Sequence, residues 1–211
     1  TSSFPTIPHR TDLMSGKFTF PWHGWKPLDT EIPVLSTILK EKGYGNQIIL
    51  DTPHMMSGRA HFNRGFDGAK WVRGQEIDWE MTKFNYNMKN ILPDSKTRPT
   101  KIKGYNMNTA SASQWHNKNW IWEEDRFCAK TARAASKWLE LNYKKDPFFL
   151  WVDMFDPHEP WDPPEYLVNN YSPDYDDIPM FHPNYGYASD YTEEELKNLK
   201  AHYYGETQLV D

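Results

Sequence analysis

Cysteine is almost absent from this chain of 211 residues: Cys128 stands alone, which excludes an intramolecular disulfide and a cysteine-rich zinc site. Its setting, Phe127-Cys-Ala-Lys-Thr-Ala, is apolar and helical, so the thiol reads as a small buried hydrophobe rather than a nucleophile. Long apolar runs are also missing. No stretch approaches the ~20 residues that a transmembrane helix needs, and mean hydropathy is −0.85. Basic charge is not in excess either. The net charge of −5 offers no basic surface for nucleic acid, and the first residues carry no basic-plus-apolar targeting segment. Localisation stays open. What the chain has in quantity is aromatic rings, 16% of residues with ten tryptophans; these suit broad stacking surfaces for sugars or aryl groups, and they also fill cores. The length fits one sizeable domain or a large part of one.

The stretch that organises the rest is Thr6-Ile-Pro-His-Arg10-Thr-Asp-Leu-Met-Ser-Gly16. Proline is tolerated in the first turn of a helix, where its missing N–H costs nothing, so the sequence predicts a helix over about 8–14 with Thr6 at its entrance and Gly16 as its stop. A helix N-terminus presents free N–H groups and the positive end of the dipole to an anion. Arg10, one turn on, can fold back onto the same place. A hydroxyl beside an oxyanion clamp is what ester cleavage at sulfur or phosphorus requires. The plain alternative is a capped, proline-containing turn.

Along the chain, 18–28 reads as an aromatic, proline-bounded loop. Asp29 or Thr30 is expected to cap a helix with an apolar stripe of Val34, Leu35, Ile38 and Leu39, ended by Gly43. Ile48-Ile-Leu50 follows as a buried strand, and helix, glycine turn, strand is half of an α/β repeat with a parallel sheet. This strand discharges into Asp51-Thr-Pro-His54. Ligands of open α/β sheets sit at the carboxyl ends of strands, which makes Thr52 and His54 candidates. Pro93, Pro99 and a cluster of basic residues mark 79–113 as a surface insertion. A sheet-covering helix is expected over about 122–143, with Phe127, Thr131, Ala134, Ala135, Trp138 and Leu139 on one face. Pro147 to Met154 reads as a central buried strand ending in Phe155-Asp156-Pro157-His158-Glu-Pro160-Trp161. The Pro- and Tyr-rich segment 166–191 reads as a loop. Thr192 and Glu195 form a capping box, and the helix behind it continues through Leu196, Leu199, Tyr203 and Val210 despite Gly205.

Three of these segments together resemble the sulfatase family of the alkaline phosphatase superfamily. Thr6-Ile-Pro-His-Arg10 and the turn to Gly16-Lys17 are similar to its C/S-x-P-x-R signature and T/S-G-(R/K) ending. Gly43-Tyr44 and the following strand resemble the element before its G-K-W-H segment, and Pro147 to Trp161 resembles P-F-F-L-y-v-s-f-x-x-P-H-x-P-y. The resemblance implies a three-layer α/β/α sandwich, with residues 1–211 the central part of one catalytic domain. It further implies a metal-dependent hydrolase of sulfate esters, with phosphodiester or phosphonate monoester cleavage, or ligand binding without catalysis, as alternatives. The matching catalytic residues are Thr6, Arg10, His54 and His158: nucleophile, oxyanion clamp, contact to an ester oxygen and helper of the leaving group. Imidazole suits the last role because it titrates near neutrality. Thr52, Asp156 and Trp161 are the expected substrate contacts.

Two departures accompany the match. Threonine stands where the family has the cysteine or serine that becomes formylglycine, and Leu50-Asp51-Thr52-Pro53-His54 carries no lysine. The family's acidic metal ligands find no counterpart either, and are expected before Thr1 and after Asp211. Thr6 is the one metal contact expected within the chain. The metal implied is a hard cation, Ca2+ or Mn2+, or Zn2+ for the phosphodiesterase reading. The implied partner is a small-molecule or carbohydrate sulfate or phosphate ester, with no nucleic acid and no membrane segment.

Overall fold

A computed structural model describes residues 3–76, 78, 80 and 109–211; most of the expected insertion at 79–113 lies outside them. The chain divides into two compact units, one of residues 1–72 with 131–154 and one of 73–130 with 155–211.

The first unit is built on a parallel sheet of order β2-β1-β3, with β1 at Gly45–Leu50, β2 at Gly68–Trp71 and β3 at Phe148–Asp153. Ile48, Ile49 and Leu50 are buried to within 1%. They force β1 into the middle, where both backbone edges are paired. Around it Ile7, Met14, Leu28, Val34, Met55 and Phe62 close one apolar core. The expectation that β3 is the central buried strand is therefore corrected. It flanks β1, its residues are mostly half-buried, and Val152 is 40% exposed. Strand β2 was not foreseen, because Gly-Ala-Lys-Trp shows neither alternation nor an apolar run.

Helix α1 runs Thr6–Ser15 and ends at Gly16 in the left-handed conformation (φ 66°), whose N–H bonds the Asp12 carbonyl at 2.8 Å. Glycine takes that conformation without the penalty a Cβ would bring. Asp12 also anchors the helix, accepting from the Thr19 amide (2.8 Å) and hydroxyl (2.7 Å) and from the Ser3 hydroxyl (2.5 Å). Helix α2, Leu35–Glu41, starts later than expected. Pro33 keeps the residue before it out of the helical region, and Asp29 spends its carboxylate on the Glu31 amide (3.0 Å) instead of capping. Leu35 and Ile38 of the expected stripe are 38% and 46% exposed, while Ser36 is buried. A single-turn helix, α3, follows β1 at Pro53–Met56.

The second unit is mainly helical. It holds α4 (Thr109–Asn117), α6 (Glu165–Asn169) and α7 (Glu193–Val210). Between α4 and α6 in sequence, α5 spans Phe127–Asn142, shorter than expected because a 3-10 turn at Glu123–Asp125 precedes it. Cys128 is buried in α5, as its context indicates. The expected loop over 166–191 contains most of α6, whose Leu167 and Val168 are buried. The capping box at the head of α7 is present: the Glu195 amide donates to the Thr192 hydroxyl (3.2 Å) and the Thr192 amide to the Glu195 carboxylate (2.8 Å). The apolar stripe expected there is replaced by a polar face. Asn198, Ala201, His202, Gly205 and Glu206 are buried, and Tyr203 is 40% exposed. Gly205 permits this face to approach α6, since a Cβ there would stand 2.9 Å from Pro163 and 3.4 Å from Leu167.

Candidate active site

In the first unit the parallel register sets Leu50 beside Asp153, so β1 and β3 end at one level. The chain leaves β1 through Thr52 and α3 begins behind it. Asp153, whose residue is 8% exposed, collects donors from three segments. Arg10 reaches it from α1 with Nε at 2.9 Å from each carboxylate oxygen and a terminal nitrogen, Nη2, at 2.7 Å. Thr52 donates its hydroxyl at 2.5 Å and Trp151 its indole N–H at 3.3 Å. A forked guanidinium on a carboxylate is among the stronger and more directional protein contacts. Nη2 also lies 3.4 Å from the Thr52 hydroxyl and 3.5 Å from the Met154 carbonyl. Nη1 is aimed at the other end of the helical turn, 3.4 Å from the Thr6 carbonyl. Arg10 is thus fixed on one side by Asp153, with its remaining nitrogen toward Thr6.

Thr6 is the first residue of α1 and half-buried. The residue before the helix is Pro5, which offers no side-chain cap. Capping side chains normally satisfy the orphan N–H groups of a first turn. At this helix no side chain does so, Pro8 has no N–H to satisfy, and the His9 amide donates to the Pro5 carbonyl at 3.1 Å. His54 is half-buried on α3 and meets the Trp25 ring edge-on, with centroids 5.2 Å apart. Both line a cavity of about 180 Å³ with Ile7 and Lys26. Since Ile7 adjoins Thr6 in α1, the cavity borders the same helix end. Thr52 is fully buried and faces Arg10 and Asp153.

His158, Asp156 and Trp161 belong to the second unit. His158 stacks on Phe155 with ring centroids 3.9 Å apart. Its Nδ1 lies 2.8 Å from the Glu159 carbonyl and 3.2 Å from the Glu159 carboxylate, so Nε2 is the nitrogen left for a ligand. Asp156 accepts from the Gln75 amide at 2.5 Å. Trp161 is held through its indole N–H on the Pro157 carbonyl (3.0 Å) and by its ring against Tyr203.

Asp153 and Lys26 were missed in the sequence. Asp153 had a signal, a carboxylate closing an otherwise apolar strand at its carboxyl end; Lys26, in an irregular loop, had none. The described residues do not by themselves fit a divalent metal. No three His, Cys, Asp or Glu come together among them. Of the carboxylates at the carboxyl ends of β1 and β3, Asp153 is taken by Arg10 and Thr52, and Asp51 accepts from Thr131 at 2.7 Å.

Comparison with known proteins agrees with this architecture. The phosphonate monoester hydrolase of Agrobacterium radiobacter superposes with a TM-score of 0.62 at 18% identity, over 99% of this chain and 48% of that one. The phosphonate monoester hydrolase of Silicibacter pomeroyi gives 0.55 at 15% identity, over 98% and 48%. Both likenesses are of fold, the mixed α/β fold of the alkaline phosphatase and sulfatase type, and the chain spans about half the length of either structure. No curated protein sequence matches it. The sulfatase family profile matches residues 1–202. With that match over nearly its whole length, and its signature turn at the carboxyl ends of two parallel strands, this chain belongs to the sulfatase family.

Proposed function

We propose that the protein carrying this chain hydrolyses sulfate esters, with Thr6 as the attacking hydroxyl. The observation that carries the reading is the Arg10–Asp153–Thr52 network, which holds a cation one helical turn from Thr6. In the proposed reaction the Thr6 oxygen bonds to the ester sulfur as its proton passes to solvent, the bond from sulfur to the alcohol oxygen breaks, and the alcohol leaves with a proton from His158. Water then cleaves the covalent ester on Thr6, releasing sulfate and restoring the Thr6 hydroxyl. Charge that builds on the non-bridging oxygens meets the first-turn amides of α1 and the Nη1 of Arg10, donors already in place before reaction. His54 contacts an ester oxygen. Asp153 and Thr52 position Arg10, and the buried Thr52 acts by holding it rather than by touching substrate. The Pro157-His158 motif, not a measured distance, assigns His158 as proton donor to the leaving group, with Asp156 and Trp161 beside it in sequence as substrate contacts. A divalent cation enters this proposal through residues other than the described ones, joined by Thr6, and no step above passes through it.

Threonine at position 6 favours a second reading within the family. It cannot become formylglycine, and an unmodified hydroxyl serves equally at the phosphorus of a phosphodiester or phosphonate monoester. Turnover of an aryl sulfate against an aryl phosphonate monoester by the complete protein decides between the two. In either case Thr6→Ala is expected to lose hydrolysis by orders of magnitude, with metal content and melting temperature recorded alongside. Near-normal turnover by that variant removes Thr6 from the reaction. Tight ligand binding with no turnover by the natural sequence identifies a binding protein instead.

A further inference from the structure

A larger cavity, about 470 Å³, lies wholly within the second unit among α4, α6 and α7, inside the ~300–1,000 Å³ range of small-molecule sites. Its polar wall is organised. The Asn117 side-chain N–H donates to the Ser113 hydroxyl (3.1 Å), and that hydroxyl donates to the Asp162 carboxylate (3.3 Å). This direction leaves the Asn117 carbonyl oxygen as an acceptor, buried and without a partner. Arg126 donates one terminal nitrogen to the Asp162 carbonyl (2.5 Å) and lies 4.9 Å from the Trp120 ring centre, while its Nε–H is buried and without a partner. His202 is 8% exposed, and its Nδ1–H donates to the Trp161 carbonyl at 2.9 Å. Burial lowers its pKa to about 4, so with Nδ1 carrying the proton Nε2 is an acceptor at neutral pH. Unsatisfied groups of this kind are costly to bury when nothing meets them. They are where a ligand gains most.

The unmet groups select the ligand. Asn117 requires a donor and Arg126 an acceptor, and Nε2 of His202 is a further acceptor in the wall. A sulfate brings acceptors only, and sulfate or phosphate alike would face the carboxylates of Asp162, Glu165 and Asp177 against Arg126, the one cation among the described lining residues. An ammonium ligand suits those carboxylates but brings donors only, and leaves the buried Nε–H of Arg126 unmet. A hydroxyl brings donor and acceptor. Phe181 and Tyr175 supply aromatic surface in the same wall, against which the C–H face of a ring can lie. We propose that this cavity binds a neutral saccharide unit, one without sulfate or phosphate. The proposal does not rest on the hydrolase reading, since none of its residues was assigned to the reaction.

Titration calorimetry on the complete protein tests it, with neutral methyl hexopyranosides in one arm and neutral disaccharides in the other. The first arm represents free sugar and the second a glycan end. Saturable binding of at least one probe is expected. Asn117→Ala, which removes the unmet carbonyl, and Phe181→Leu, which keeps the cavity apolar but removes the ring, should each weaken it by about tenfold, the scale of one lost hydrogen bond or ring contact. Both should fold with a melting temperature near that of the natural protein, and Phe181→Leu alone carries the test should Asn117→Ala fail to fold. Thr6→Ala should bind the sugar unchanged whether or not it abolishes hydrolysis. Absence of binding by every neutral probe at millimolar concentration, binding indifferent to both variants, or displacement of the sugar by inorganic sulfate or phosphate would each overturn the proposal.

Discussion

Arg10 gives Nε and Nη2 to one carboxylate and keeps Nη1 toward Thr6, so its action depends on Asp153 as much as on its own charge. The side chains are 14% and 9% exposed, which puts the pair in the class where removing one partner costs more than the pair contributes. The charge left behind is desolvated without compensation, at about 3–5 kcal/mol. Asp153→Asn is therefore expected to lower the melting temperature and to reduce turnover at least tenfold, chiefly in kcat, because the guanidinium loses the fork that aims it. Arg10→Lys should fail similarly, since an ammonium cannot reproduce the two-nitrogen contact. Thermal melts and steady-state kinetics of both variants are the check; unchanged values would make the pair incidental to the site. The sequence disclosed half of this arrangement. Arg10 stood out through its spacing from Thr6 and Pro8, whereas its partner is 143 residues away and became visible only once β3 was laid beside β1.

The elements most legible in the sequence were those fixed by local chemistry. Gly16 stopped α1, the apolar run Ile48–Leu50 made β1, and Thr192 with Glu195 opened α7. Those that failed were decided by partners remote in sequence. Strand β2 exists because Asn46 and Leu50 of β1 accept backbone bonds from Asp67 and Val72 at its two ends (both 2.8 Å), and no pattern within Gly-Ala-Lys-Trp encodes that. On α7 the apolar residues suggested one face and the fold buried another, since Asn198, His202 and Glu206 find their surroundings only in the assembled unit. The capping box is testable at this scale. Thr192→Ala removes the acceptor of the Glu195 amide and should cost about 1 kcal/mol, read as a lower denaturation midpoint in urea. Thr192→Ser should restore it. An unchanged midpoint in Thr192→Ala would mean that α7 is held by its packing alone.

For the molecule as a whole, the same buried face of α7 predicts how stability follows pH. Burial, then Asp156 and Asp162 nearby, holds the Glu206 carboxyl well above its ordinary value of 4.5, and burial pushes Asp162 from 3.8 up to about 6. A raised folded-state pKa means that the native chain binds protons the unfolded chain has released. These two groups therefore support the fold fully below about pH 4, and that support is withdrawn as pH rises through their raised values. His202 works in the opposite sense. Burial lowers it from 6.5 to about 4, so its contribution is intact above 6.5 and lost as pH falls toward 4, where the unfolded chain takes up the proton that the buried ring refuses. Stability should accordingly be drawn down from both sides, and single variants separate the two limbs. Glu206→Gln, which keeps the shape but cannot ionise, should gain on the natural protein progressively as pH rises above about 4.5. His202→Asn should remove the acid loss between 6.5 and 4 and leave the alkaline limb in place. Melting temperatures of the complete protein and both variants across pH 4–8 measure this directly. Parallel curves would show that neither group changes its proton affinity on folding, and the polar face of α7 would then have to be open to water rather than buried.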